Sequence, residues 1–180
     1  MKILELKITP RDDPFPHLFF SRVFTDEAYE MLLSTLPTGE TLPGTRRVYS
    51  IDGRFKEALL DPVLKDSFSK LLETEYISFP KVILTKDTPG FFITPQVGSI
   101  FRIMTVIIFL PEDTSQKMLG NRLFKMEDHK PTFMKQFGFF PNTGFAFKNT
   151  EESWHDLPTI DSLRHTLQIY YLDTPNGMLE

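Results

Sequence analysis

The sequence contains no cysteine among its 180 residues. This absence excludes disulfide bonds, thiolate metal sites and enzymes with a cysteine nucleophile. Long apolar runs are also lacking, because the longest, Ile103 to Leu110, is too short to span a bilayer. The first residues, MKILELKITPRDD, have no apolar stretch of signal-peptide length behind the first lysine. We therefore expect a soluble cytoplasmic protein with no membrane segment.

Excess positive charge is missing as well. The 20 Lys and Arg residues are outnumbered by 24 Asp and Glu residues, which gives a formal net charge of −4. Nucleic-acid binding requires a clustered basic face that neutralises phosphates. The close basic pair Arg46-Arg47 is too small for such a face. The composition therefore predicts no nucleic-acid partner.

Phenylalanine is unusually abundant, with 18 residues against five Tyr and one Trp. This abundance suits a β-rich core. A chain of this length can bury about two thirds of its unfolded surface without covalent staples. No linker-like stretch and no internal repeat divide it. We therefore predict a single domain over residues 1–180.

The N-terminal part, residues 1–76, is predicted to hold one strand and two helices. Apolar and charged residues alternate over residues 1–8, which indicates a strand that ends at Pro10. Thr25 has the character of a helix N-cap, and the helix that follows should stop before Pro37. Apolar residues at intervals of three and four predict a second helix over residues 62–75.

Residues 77–174 are predicted to form the β core. Eight short runs of β-branched and aromatic residues alternate with turn signals: FPKVILTKD, GFFITP, FRIMTVIIFLP, NRLFKM, PTFMKQFGFF, TGFAFKN, ESWHDL and SLRHTLQIYYLD. Regular spacing of this kind favours a sandwich or jelly roll, with the helices packed on one sheet. We expect eight phenylalanines of these runs to be core residues, namely Phe91, Phe92, Phe101, Phe109, Phe139, Phe140, Phe145 and Phe147.

Four short motifs follow one another in the C-terminal half of the sequence, and their order is informative. They are Pro-Asn at 141–142, Gly-Phe-Ala-Phe at 144–147, Ser-Trp-His at 153–155 and Arg-His-Thr at 164–166. With PGFFITPQVGSIFRIMTVIIFLP upstream and PFPH near residue 15, this succession resembles the iron- and 2-oxoglutarate-dependent oxygenases, particularly the small prolyl-hydroxylase-like members. The resemblance covers nearly the whole chain. It implies a mainly β fold with N-terminal helices, the double-stranded β-helix, which is a cupin-like jelly roll.

The resemblance also implies Fe(II) and 2-oxoglutarate as cofactors and assigns roles to individual residues. His155 matches the distal iron ligand of the family's two-histidine, one-carboxylate triad. Arg164 matches the arginine that pairs with the far carboxylate of 2-oxoglutarate, and Thr166 matches its hydroxyl partner. A guanidinium binds a carboxylate through two parallel hydrogen bonds, and residues two apart face the same side of a strand. Arg102 stands where similar proteins often direct a basic residue towards the co-substrate.

The match fails at Gln96 and Gly98, which stand where the family has its His-x-Asp motif. A neutral amide oxygen is a weak ligand for Fe(II), so Gln96 is at best a weak metal ligand. Glycine removes the one negative charge that the protein would give the metal. No His-x-Asp or His-x-Glu occurs elsewhere in the chain.

Three interpretations remain open. The chain is a catalytically inactive pseudoenzyme or binding module that uses the pocket and Arg164. Alternatively, it is an oxygenase acting on an unactivated C–H of a small molecule or peptide residue, with the metal site completed by Gln96, by another carboxylate such as Asp87, or by a partner. Glycine at the carboxylate position also resembles the family's halogenase branch, although that branch keeps its first histidine. The third interpretation is an interaction module that shares the fold alone. The resemblance further implies a homodimer.

Overall fold

The computed structural model describes residues 2–74 and 79–174, and within them the chain forms eleven β-strands and three α-helices. The strands are β1 (Leu4–Arg11), β2 (His17–Phe24), β3 (Arg46–Tyr49), β4 (Phe79–Asp87), β5 (Ile93–Gln96), β6 (Arg102–Phe109), β7 (Arg122–Glu127), β8 (Lys130–Gln136), β9 (Gly144–Lys148), β10 (His155–Leu157) and β11 (Arg164–Leu172). The helices are α1 (Asp26–Ser34), α2 (Gly53–Leu59) and α3 (Pro62–Leu71).

The strands form two antiparallel sheets. The larger sheet has seven strands in the order β1-β2-β9-β6-β11-β4-β3, and the smaller has four in the order β5-β10-β7-β8. Neighbouring strands in these orders are largely distant in sequence, as in a jelly roll. The predicted mainly β fold with N-terminal helices is confirmed.

Side-chain alternation gives the larger sheet two apolar faces. One face packs against the helices, where Val106, Ile108, Leu167 and Ile169 join residues such as Phe68 in one buried cluster. The other face carries Ile107, Phe109, Phe145 and Phe147, which cluster with Leu123 and Leu157 of the smaller sheet. The two sheets therefore enclose a second core, and the helices pack on one sheet as the sequence predicts.

Local signals account for the helices. The Thr25 side chain accepts a hydrogen bond from the backbone N–H of Ala28 and so caps α1. Asp52 and Asp61 cap α2 and α3 in the same way, and Pro62 stands at the start of α3, where its missing N–H costs nothing. The predicted helices α1 and α3 are present, whereas α2 was not anticipated.

All eight predicted strands of the C-terminal part are present, with shorter bounds for most of them. The sequence analysis missed β2 and β3, and β1 continues through Pro10 to Arg11. This proline is tolerated because β1 is an edge strand. Two predicted core residues were wrong, since Phe92 is 58% exposed and Phe140 is 44% exposed.

The N-terminal part of the chain contributes directly to the larger sheet. Strand β2 pairs with β9, and β3 pairs with β4. Strand β3 thereby brings Arg46 beside Asp87 at the end of β4, a pairing that matters for the site. The division at residues 76 and 77, like the single domain over 1–180, stays a prediction.

Candidate functional site

A cavity of about 350 Å³ lies between the two sheets. This volume is at the lower end of the range for small-molecule sites. Four predicted site residues line the cavity together, and the fifth, Thr166, does not. The lining residues are Arg46, Ile93, Gln96, Gly98, Ser99, Arg102, Thr105, Ile107, Asn121, His155, Arg164, Gln168 and Tyr170.

His155 and Gln96 are direct partners across the antiparallel pair of β10 and β5. Directly opposed residues of such a pair project to the same face. The Nδ1 atom of His155 lies 2.8 Å from the carbonyl oxygen of Ser153. We assign the ring proton to Nδ1, since a carbonyl can only accept, and this leaves the Nε2 lone pair free to act as an acceptor.

The His155 ring is neutral at physiological pH. Burial lowers the pKa of His155, the hydrogen bond to Ser153 opposes this effect, and the positive charge of Arg102 lowers the pKa further. A neutral imidazole with a free Nε2 can bind a metal or accept a hydrogen bond.

Gly98 adopts a positive φ of 86°, which favours glycine. A Cβ added at this residue would lie 2.8 Å from Nδ2 of Asn149, closer than real Cβ contacts allow. Asn149 is held there by two hydrogen bonds, one from its Nδ2 to the carbonyl of Val97 and one from the hydroxyl of Thr105 to its Oδ1. The amide of Asn149 therefore fills the space that a carboxylate side chain at residue 98 would need.

Arg164 is the largest side chain that is fully buried, with only 1% of its surface exposed. Each of its three nitrogens donates to a protein acceptor: Nε to the carbonyl of Leu119, Nη1 to Asp87 and Nη2 to Asn121. Burial lowers the pKa of Arg164 to about 10, with Asp87 opposing this shift, so the guanidinium stays charged at neutral pH.

Asp87 is the carboxylate that neutralises this buried cation. It is fully buried and lies directly across from Arg164 on one side and from Arg46 on the other. Its Oδ1 accepts a hydrogen bond of 2.6 Å from Arg46 Nε, and its Oδ2 accepts bonds of 2.8 Å from Arg46 Nη2 and 2.9 Å from Arg164 Nη1. Both carboxylate oxygens are therefore engaged by guanidinium groups.

The hydroxyl of Thr166 lies on the same strand face as Arg164 but bonds elsewhere. It lies 2.7 Å from the Thr85 hydroxyl and accepts a 2.9 Å hydrogen bond from Nε2 of Gln168. The Oε1 atom of Gln168 in turn accepts a hydrogen bond from the Tyr170 hydroxyl. This chain of four polar side chains fixes the orientation of the amide and phenol that line the cavity.

Arg102 is the remaining cation of the cavity wall. Its guanidinium stacks over the Tyr170 ring, 3.9 Å from the ring centroid. Nη1 of Arg102 would lie 4.0 Å from a Cβ on Gly98. Over residues 2–74 and 79–174, no carboxylate forms an ion pair with Arg102. The glycine at 98 therefore removes a negative charge both from beside His155 and from beside Arg102.

The donor set does not fit the metal that the resemblance implies. In the part of the chain that the structure describes, no group of three or more His, Asp or Glu side chains could hold a metal ion. Among the lining residues, His155 is accompanied by a neutral amide, and the described lining contains no carboxylate. Asp87, which the sequence analysis named as a substitute ligand, is engaged by two arginines instead. The described residues of this cavity therefore do not provide the ligand set of an Fe(II) site.

The residues do not fit 2-oxoglutarate in the implied manner either. The Arg164 guanidinium, which would hold the far carboxylate, already donates to Asp87 and to two neutral acceptors. A second carboxylate would have to displace Asp87 or enter beside it, where repulsion by Asp87 opposes the attraction of the two guanidinium groups.

Sequence reasoning missed three residues that shape the cavity. Asn149 follows the run TGFAFK and carries no motif, so nothing in the sequence indicated its role. Asn121 begins the predicted strand run NRLFKM, and Arg46 belongs to the basic pair Arg46-Arg47, but neither was assigned to the site. The strand-prone pair Val48 and Tyr49 was the available signal for β3.

No protein-family model matches the sequence, and no curated protein matches it. Solved structures do match. A prolyl-4-hydroxylase from Pseudomonas putida superposes with a TM-score of 0.61 and 12% identity, over 95% of this chain and 94% of that chain. An oxidoreductase of the 2OG-Fe(II) oxygenase family from Burkholderia pseudomallei superposes with a TM-score of 0.59 and 13% identity, over 84% and 80% of the two chains.

These similarities show that the chain has the fold of 2OG-Fe(II) oxygenases and prolyl hydroxylases, so the predicted fold is confirmed. Across residues 2–74 and 79–174, the helices are all too short or too polar to cross a membrane.

Proposed function

We propose that this chain is a metal-independent binding protein built on the 2-oxoglutarate oxygenase fold, with a small-molecule site between its sheets. One observation carries the proposal: Asn149 fills the space in which a carboxylate at residue 98 would stand, so the described cavity lining offers a metal at His155 only neutral amides and no carboxylate. A single imidazole and a neutral amide bind Fe(II) weakly, and the loss of second-shell groups alone typically costs about 10–100-fold in affinity.

The second candidate function is an oxygenase with an altered coordination sphere. It is favoured by the free Nε2 of His155 and by the cross-strand position of Gln96, which put two donor side chains on one face. Such an enzyme would need further ligands from a substrate or a partner, and it would oxidise a C–H group of a small molecule or a peptide residue.

Metal titration separates the two functions. Redox-inert Mn(II) is titrated into the purified protein in the presence and absence of 2-oxoglutarate. Binding is measured as the heat released in a calorimeter, or as the loss of the electron paramagnetic resonance signal of free Mn(II). The proposal expects no saturable binding at micromolar metal and no change when His155 is replaced by Ala. Saturable binding that disappears in His155→Ala would contradict the proposal and favour the altered oxygenase.

Cytoplasmic location and a homodimer remain parts of the proposal. Light scattering on the eluted protein measures the oligomeric state, and cell fractionation measures the location. A monomer across micromolar concentrations would remove the homodimer from the proposal without affecting the binding function.

A further inference from the structure

The charges around the cavity fall into two unequal groups. Arg46, Asp87 and Arg164 form one cluster of two guanidinium groups and one carboxylate. Arg102 stands apart, stacked on Tyr170 and with no carboxylate partner over residues 2–74 and 79–174. The guanidinium of Arg102 therefore makes no hydrogen bond to a carboxylate of the described residues. The guanidinium groups of Arg46 and Arg164 both donate to Asp87.

We propose that Asp87 is a built-in carboxylate that closes Arg164 to ligands, and that the cavity selects small organic acids with a single anionic group, which Arg102 binds. This inference rests on the proposed metal-independent binding function and names the ligand class of that site.

The closure follows from the hydrogen bonds that Arg164 and Arg46 already make to Asp87 and to neighbouring oxygens. All three nitrogens of Arg164 donate to protein acceptors, and its side chain is 1% exposed. Arg46 directs Nε and Nη2 to the two oxygens of Asp87. A ligand carboxylate that entered here would lose its hydration and find the N–H groups that point at Asp87 already occupied, with the negative charge of Asp87 beside it.

Arg102 is available to a ligand because residue 98 provides no carboxylate beside it. Residue 98 is glycine, and the nearest atom of Asn149 to its missing Cβ is an amide nitrogen, which carries no negative charge. A guanidinium offers five N–H donors in a planar fork that matches a carboxylate. The Tyr170 ring holds that fork by a cation–π contact at 3.9 Å and so reduces the ordering cost of binding.

Two matched acids test the ligand class. 2-Oxoglutarate carries carboxylates at both ends of a five-carbon chain, and 2-oxopentanoate has the same chain with a methyl group in place of the far carboxylate. Calorimetric titrations are run in EDTA at constant ionic strength. We expect the wild-type protein to bind 2-oxopentanoate at least as tightly as 2-oxoglutarate, and Arg102→Gln to lose at least about tenfold in affinity for both.

Asp87→Asn tests the built-in carboxylate. The amide keeps the shape but removes the charge, so Arg164 and Arg46 become available to a ligand carboxylate. We expect the ratio of the two affinities to shift towards 2-oxoglutarate by about tenfold or more, which corresponds to about 1.4 kcal/mol. The matched control is Asp156→Asn, which alters another buried carboxylate paired with an arginine, Arg122, outside the cavity lining. We expect this control to leave the ratio unchanged.

Three results would overturn the inference. The wild-type protein could prefer 2-oxoglutarate, the ratio of the two affinities could change by less than about threefold in Asp87→Asn, or neither acid could bind to the wild type or to Asp87→Asn. If Asp87→Asn does not fold, the wild-type preference and the Arg102→Gln loss decide. The same titrations are repeated with Mn(II) in place of EDTA. Binding that requires Mn(II) contradicts the proposed metal-independent function, whereas a dicarboxylate preference in EDTA contradicts only the inference about ligand class.

Discussion

The side-chain amide of Asn149 stands 2.8 Å from the point where a Cβ on Gly98 would lie. The neighbouring side chain, and not only the missing carboxylate, therefore determines what residue 98 can be. That position is occupied by a side chain that is hydrogen-bonded to Val97 and Thr105, so the packing leaves no room for a carboxylate at residue 98.

Restoring the two missing ligands should therefore be insufficient by itself. We expect Gln96→His with Gly98→Asp to gain little Mn(II) affinity, because an aspartate at residue 98 collides with Asn149 and is strained at a φ of 86°. Adding Asn149→Ala removes the collision, and the triple variant should bind Mn(II) at least about tenfold more tightly than the double variant. Calorimetric titration of the two variants measures the difference.

The matched control for this experiment is Asn149→Ala in the wild-type background, which should bind no metal. If the double variant binds Mn(II) as tightly as the triple variant, the Asn149 side chain moves aside readily and does not block an aspartate at residue 98.

Asp87 should be one of the most important polar side chains for stability. Its carboxylate is fully buried between Arg46 and Arg164, and removing one partner from a buried ion pair costs about 3–5 kcal/mol. We expect Asp87→Asn to lower the free energy of unfolding by about this amount in urea. Asp156→Asn should cost less, because the partner of Asp156, Arg122, has 34% of its side chain exposed to water. Equal losses for the two variants would contradict this account.

Asn142 joins the turn before β9 to the end of β2. Its Oδ1 accepts hydrogen bonds from the backbone N–H groups of Val23 and Phe24, and its Nδ2 donates to the carbonyl of Phe24. We expect Asn142→Gly to cost about 2–4 kcal/mol in urea unfolding, because buried backbone groups lose their partners. Asn142→Ala should cost about 1 kcal/mol more, since alanine is strained at the φ of 58° that residue 142 adopts. A glycine variant as stable as the wild type would show that water replaces these bonds.

Stability should rise with pH in the window that lies between the lowered histidine pKa values and 6.5. Burial lowers the pKa of His17, His155 and His165 below the ordinary value of 6.5. Across this window the unfolded chain binds more protons than the folded one, so the stabilising contribution is complete above pH 6.5 and is lost as the pH falls towards the lowered values. Urea unfolding at several pH values measures the slope, which is at most about 1.4 kcal/mol per pH unit for each histidine.

His17→Gln should make that slope shallower, because one buried titrating ring is removed. His129→Asn is the matched control, since the ring of His129 is exposed at the turn between β7 and β8 and asparagine tolerates its φ of 62°. An unchanged slope in His17→Gln would exclude this residue as a source of the pH dependence.

Much of the fold could be predicted from local patterns. The cap at Thr25, the apolar spacing of α3 and the eight alternating runs after residue 77 are all set by residues close in sequence. Strands β2 and β3 escaped prediction because neither HLFFSRVF nor RRVY alternates regularly between apolar and polar residues, and because their pairing with β9 and β4 is long-range.

The sequence by itself determined which residues of the site to examine. The resemblance carried by its motifs implied that Gln96, His155 and Arg164 share one site, and these three residues do line one cavity together. Tertiary structure alone decided what each of them can do. The pairing of β9 with β6 places Asn149 beside residue 98. The pairing of β4 with β11 places Asp87 beside Arg164, and the pairing of β4 with β3 places Arg46 beside Asp87. No local pattern encodes such contacts, because hydrogen-bond saturation and excluded volume depend on which distant segments the fold brings within about 3 Å of each other.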